Sequence, residues 1–237
     1  MADRGDRSDL PPPGPVAAAK DGSTALLIID MQINGTTPDR GFDLALDRLH
    51  SGIADAYHKR IEETVLPTIG ELLTYFRKHR LPVVYLVSGS EHRDYSDLPA
   101  RTRNWICDLE ERSGVKGLMW TRDPAFAIRE EIAPLPGEKV VRKVTFSPFL
   151  STDLHEQLLR AGIQNLIVTG VATCVCVEST ARDAVDLGYG CVMVEEAQAD
   201  YDEQQHDAAL VTFETNMGRV VRSAQQVIEA MEQGIAI

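Results

Sequence analysis

The chain has 237 residues, enough for one well-buried α/β domain and too few for two of ordinary size. Its 36 acidic against 24 basic residues give a formal charge of −12, and no basic patch is visible for a nucleic acid or an anionic membrane surface. No apolar run reaches the length of a membrane span, and four cysteines, two of them at Cys174 and Cys176, do not read as a disulfide framework, so a reducing, cytoplasmic setting is expected.

Residues 1–22 carry Pro11, Pro12, Pro13 and Pro15, lack the apolar segment of a secretory signal, and read as a mobile arm before a single domain over residues 23–237. Thr24 to Ile29 is an apolar run ending on Asp30, the pattern of a strand buried on both faces whose carboxyl end opens onto a site. Gly35, Pro38 and Gly41 break any period over residues 33–56, so an irregular lid or substrate loop is expected there. Ile69, Leu72, Leu73 and Phe76 at helical spacing predict a helix over about residues 67–79, and a strand follows at 83–87. Residues 89–137 are polar and broken by prolines; Ser88 to Pro99 follows a strand end and reads as pocket rim, Trp105 and Trp120 are candidate apolar wall, with satellite packing under a long loop the favoured reading for both, and Cys107 reads as a loop thiol. The segment from Glu138 supplies a third apolar strand that delivers Lys143. A helix over about 152–161, a strand at 165–169, a helix from Cys176 to Leu187, a strand at 191–194 with Cys191 in the core, a helix at 203–216, a short strand at 219–221 and a helix at 224–232 complete the chain. This alternation indicates an α/β fold of three layers, α/β/α, around a mostly parallel Rossmann-like sheet.

Open parallel sheets bind ligands at the carboxyl ends of their strands. Asp30 is therefore a candidate general base, Lys143 a candidate cation and Cys176 a candidate nucleophile in one crevice. Cys176 stands where a strand stops at Gly170 and a helix begins, and a helix N-terminus favours the thiolate through its unsatisfied N–H groups and dipole. Each residue alone has a blander reading, since an unpaired Cys is usually a small buried hydrophobe and a charge at a strand end is usually solvated. Their joint occurrence carries the assignment. Cys174 reads as a packed residue of the turn.

Three motifs stand in order: Ile29-Asp30-Met31-Gln32, the Lys-x-x-x-Ser-x-Phe of Lys143, Ser147 and Phe149, and Gly-Val-Ala-Thr-x-x-Cys-Val from Gly170 to Val177. With them the chain, from about Ala25 to about Val227, resembles the isochorismatase-like cysteine hydrolases, which include nicotinamidase, N-carbamoylsarcosine amidase and the ureidoacrylate and biuret amidohydrolases. The resemblance implies an Asp-Lys-Cys triad at Asp30, Lys143 and Cys176, a cis peptide between Val171 and Ala172, and an oxyanion hole from the N–H groups of Ala172 and Cys176. It implies acyl transfer through a thioester on a small-molecule substrate without a cofactor, and a homo-oligomer, dimer or tetramer. Gln32, Asn34, Phe149 and Thr173 are the candidate substrate-binding residues. Nicotinamidases of this superfamily hold a metal through an Asp-x-His pair and a further His; His50 and His58 do not fit that pattern, and no metal is expected.

After the first strand the chain reads Asn34-Gly35 where the superfamily commonly has Asp-Phe, and Arg93 to Ala100 looks like the rim loop of the ureide-cleaving branch. A linear ureide, biuret-like or carbamoyl substrate is expected ahead of a pyridine carboxamide. Vinyl-ether hydrolysis of isochorismate, which proceeds without the cysteine, and a catalytically silent interaction domain are the alternatives. The intact Asp30, Lys143 and Cys176 set speaks against both.

Overall fold

Thr24–Ile29 forms β1, whose six residues are all buried, as expected of a central strand covered on both faces. The computed structural model describes residues 14–17 and 22–237. Five further strands, β2 (Val83–Ser88), β3 (Lys139–Lys143), β4 (Asn165–Val171), β5 (Gly190–Ala199) and β6 (Arg219–Val221), join β1 in one sheet of order β3-β2-β1-β4-β5-β6. Every pairing is parallel. The chain winds outward from β1 in both directions, so the switch point lies between β1 and β4, where such sheets open a crevice at the strand carboxyl ends.

Alternate residues face opposite layers. Leu26 and Ile28 of β1, with Tyr85 and Ile167, pack beneath α3 (Leu66–Lys78) through Ile69, Leu72 and Phe76, and beneath α8 (Ala224–Gln233) through Val227. Leu27 and Ile29, with Leu86 and Val168, face α5 (Leu154–Arg160), α6 (Glu178–Asp186) and α7 (Glu203–Asn216) through Leu158, Ala181 and Phe213. Gly170 of β4 has φ of +109°, and a Cβ there would lie 2.0 Å from the carbonyl oxygen of Ile29, so only glycine allows β4 this close to the end of β1.

Three expectations are corrected. Residues 33–56 are not an irregular loop: they form a 3₁₀ turn at Ile33–Gly35, helix α1 at Gly41–Leu49, and the start of α2 (Asp55–Arg60), which runs through a π-helical turn at Ile61–Val65 into α3. The polar stretch after Gly89 contains α4 (Ala100–Ser113), so Cys107 is an exposed helix residue rather than a loop thiol. Together α1 and α4 bury a third small core of Ala45, Ile106, Leu109 and Leu118. Gly41 opens α1 at φ of +55° instead of breaking it, and the narrow apolar stripes of both helices answer each other, not the main sheet. Finally, Val16 of the proline-rich arm is buried in the first core and exchanges two backbone hydrogen bonds of 2.9 Å with Ile237, while Asn165 donates to the carbonyl of Ala17. Residues 1–13 and 18–21, over which the mobile arm was also expected, lie outside the described residues. Among the described residues no helix is long and apolar enough to cross a membrane.

Candidate active site

β1, β3 and β4 bring their carboxyl ends together, and with them Asp30, Lys143 and Cys176. Asp30 follows β1 directly and has a left-handed backbone, φ of 53°, a conformation that costs a non-glycine residue roughly 1–3 kcal/mol and persists where the surroundings impose it. Its N–H donates to Leu86 and its carbonyl accepts from Gln32, which fixes the turn that aims the carboxylate away from the sheet. Lys143 ends β3 and is fully buried. Its ammonium has three hydrogens and three partners: Asp30 Oδ2 at 2.8 Å, Ser88 Oγ at 2.5 Å and Cys176 Sγ at 3.3 Å. Ser88 in turn donates to the same Asp30 oxygen at 3.2 Å. Asp30 Oδ1 is buried and has no hydrogen-bond partner among the described residues.

Cys176 lies in a π-helical turn, Thr173–Val177, that runs straight into α6, and such turns are frequent at functional sites. Its ionisation runs against the expected thiolate: burial and then the Asp30 carboxylate push the thiol up to about 12, with Lys143 opposing them. Burial also disfavours the charge on Lys143, but Asp30 and Cys176 outweigh it and its pKa is raised. Burial and the Asp30 carboxylate thus favour the thiol form of Cys176, against the helix-terminus expectation of a thiolate.

The peptide between Val171 and Ala172 is cis. Ala172 and Cys176 both line a cavity of about 420 Å³ above the cluster. Among the turn residues lining it, the N–H of Cys174 donates to Asp200 and that of Val175 to the carbonyl of Ala172. Gln32 and Asn34 also line the cavity, but their amides are engaged structurally. Gln32 accepts from the N–H of Ser88 and donates to Phe126, and Asn34 donates to Leu118.

Phe149 and Thr173 do not line the cavity. Phe149 packs into the second core, stacked against Tyr189 at 6.2 Å. Thr173 is fully buried, its hydroxyl 2.8 Å from His206 Nδ1. Arg60 donates to His206 Nε2 at 3.2 Å and, having no acceptor, assigns the ring proton to Nδ1, which donates to Thr173. This chain from Arg60 through His206 braces the turn that carries Cys176. Trp105 lines the cavity, against the favoured reading of satellite packing, whereas Trp120 packs against the small third core beneath the guanidinium of Arg93.

Sequence reading placed Ser88, the terminal residue of β2 that pairs in register with Lys143, only on the pocket rim and not beside the triad, although the same carboxyl-end argument applies to it. It also missed Asp43 of α1. Fully buried, Asp43 accepts from Tyr201 and lies 2.8 Å from His58 Nε2; burial raises its pKa despite both bonds. Tyr201 and Tyr57, stacked at 4.1 Å, form part of the cavity wall. No sequence signal links residues this far apart. Among the described residues no group of three His, Cys, Asp or Glu side chains is arranged to hold a metal ion.

The solved structures that resemble this architecture include a cysteine hydrolase from Pseudomonas syringae pv. phaseolicola, with a TM-score of 0.75 at 24% identity over 96% of this chain and 99% of that one. N-carbamoylsarcosine amidase from Thermoplasma acidophilum has a TM-score of 0.58 at 23% identity, over 84% and 96%. In sequence, the chain is similar to the ureidoacrylate amidohydrolase RutB of Stutzerimonas stutzeri, 30% identical over 86% of this chain and 81% of that protein. The RutB of Caulobacter vibrioides is 31% identical over 85% and 88%. The family model for the isochorismatase domain matches residues 24–226, a span that contains all six strands and Asp30, Lys143 and Cys176, and the chain therefore belongs to the isochorismatase family.

Proposed function

We propose that this protein is a cysteine amidohydrolase that cleaves the C–N bond of a small linear amide, ureide or carbamoyl compound through a thioester on Cys176. Hydrolysis of a non-peptide C–N bond accords with the family and with relatives that are named amidohydrolases. The observation that carries the reading is the Lys143 ammonium bonded at once to the Asp30 carboxylate and to Cys176 Sγ, while Asp30 Oδ1 stands without a partner.

The raised pKa keeps the proton on sulfur until substrate is seated. Asp30 then accepts that proton as sulfur attacks the carbonyl carbon, and Lys143 steadies both the carboxylate and the sulfur. The oxyanion sits against the N–H groups of Ala172 and Cys176, each donor contributing about 3–4 kcal/mol in comparable acyl-transfer sites. Protonated Asp30 gives its proton to the departing nitrogen, and ammonia or an amine leaves. Water attacks the thioester, passing a proton to Asp30; collapse expels the sulfur, which takes that proton back. The acid product leaves with Cys176 again a thiol.

Ammonia release from a panel of carboxamides and ureides, with isochorismate alongside, tests the reaction class. Cys176→Ala is expected to abolish turnover and Cys174→Ala to leave most of it, with an acyl adduct on the Cys176 peptide in quenched reactions. Iodoacetamide inactivation that maps to Cys174 or Cys107, or isochorismate turnover surviving Cys176→Ala, would overturn the proposal.

A further inference from the structure

The cavity above Cys176 has about 420 Å³, whereas an apolar cavity of roughly 150 Å³ already accommodates benzene. Its walls are largely apolar and carry aromatic rings from several elements. Phe42 of α1 packs against Trp105 of α4 with centroids 5.1 Å apart, and edge-on against Tyr201 at 6.3 Å. Leu46 and Phe146 add to the same wall.

The charges that line it are all negative. Among the described residues no Lys, Arg or His side chain faces the cavity, while Asp30, Asp200 and Asp202 do. Lys143 lies beneath, fully buried, with its three hydrogens committed. Asp200 accepts from the N–H groups of Cys174 and Tyr201, and Asp202 caps α7 by accepting from Gln205. The adjoining groove is lined by Arg101 and Arg182, and the latter is paired with Glu178. A small substrate bearing a carboxylate would thus exchange water for a largely apolar wall, half-exposed at Trp105 and Phe146, that presents three acids and no basic side chain among the described residues.

We infer that the substrate is an uncharged amide or urea whose substituent is an aryl-sized apolar group, and that carboxylate-bearing ureides are rejected. The aromatic wall supplies the binding surface and the acidic rim the discrimination. The inference rests on Cys176 as the nucleophile, yet pocket preference and chemistry can be measured apart.

Phenylurea and 4-ureidobenzoate form a matched pair differing by one carboxylate, and phenylacetamide and its 4-carboxylate form another; ureidoacrylate represents a small anionic ureide. Calorimetric titration into the Cys176→Ala protein reads binding without turnover, and ammonia release by the wild-type chain reads kcat/KM. The neutral member of each pair is expected to lead by at least about tenfold in both readouts, and Trp105→Ala to raise its KM by about tenfold. Leu46→Arg, which places a cation in the wall, is expected to narrow or reverse the preference. Tighter binding of ureidoacrylate or of the carboxylate members would overturn the inference, as would a Leu46→Arg protein with unchanged discrimination. Preference for the neutral members without any adduct on Cys176 would overturn the thioester reading and leave this one standing.

Discussion

Replacing Lys143 by methionine removes a buried ammonium while keeping an unbranched apolar stem of similar reach. Lys143 is fully buried 2.8 Å from Asp30, whose side chain is only 13% exposed and whose Oδ1 already lacks a partner. Without the ammonium the carboxylate has lost its counter-charge, a change that costs about 3–5 kcal/mol in buried pairs. Asp30 retains some contact with the cavity, so a loss of about 3 kcal/mol is expected, equivalent to roughly 6–12 °C in Tm for a chain of this size. The Asp30→Asn/Lys143→Met protein removes both charges and preserves the shapes. It is expected to regain most of that loss, so that the coupling between the two sites is at least about 2 kcal/mol, larger by whatever Asp30→Asn alone loses. Urea unfolding of the wild type, both single variants and the double variant measures the cycle, and all three variants are expected to be inactive. A double variant that loses the sum of the two single losses would refute the argument, because it would mean that neither charge depends on the other.

Burial and then Arg60 lower the pKa of His206 from the usual 6.5, so its stabilising contribution is complete above that value and declines as the pH falls below it toward the lowered pKa. Thermal unfolding between pH 7.5 and 5 should show the decline, and His206→Asn should flatten it; an equal slope in both proteins would remove His206 as the cause. Gly170→Ala places a Cβ 2.0 Å from the Ile29 carbonyl at a φ of +109°, and loss of soluble folded protein on expression is expected. The proposed reaction uses a thiol, a carboxylate and backbone N–H donors, so dialysis against a chelator should leave kcat unchanged. Activity lost on chelation and restored by zinc or manganese would contradict it.

The main sheet was legible because its central strands β1, β2 and β4 are buried on both faces and read as largely apolar runs, β1 above all. Their carboxyl ends then located Asp30, Lys143 and Cys176 without further information, since the parallel order leaves those ends in one crevice. The cap was not legible. The helices α1 and α4 bury only a narrow stripe against each other, and an opening glycine with positive φ in α1 looks in sequence like a break. Of the candidate substrate-binding residues, Gln32 and Asn34 line the cavity and two others do not. Phe149 and Thr173 stand in the motif yet serve core packing and the His206 brace, while the rings that face the cavity, Phe42 and Trp105, come from the cap.

The ionisation of Cys176 shows why motif position alone cannot set a pKa. Its place at the start of a helical segment argues for a thiolate, because the helix end supplies partial positive charge. Two influences that only the folded chain reveals, burial of the sulfur and the proximity of the Asp30 carboxylate, act the other way and raise the pKa of the thiol. The consequence reaches the mechanism. A preformed thiolate would need no base, and Asp30 would serve only to orient Lys143. A protonated thiol requires one, and the partnerless Oδ1 of Asp30 is the oxygen available to take the proton. In the proposed mechanism the nucleophile therefore forms only as the carbonyl is attacked, and Lys143, with all three hydrogens committed, holds acid and sulfur for that transfer.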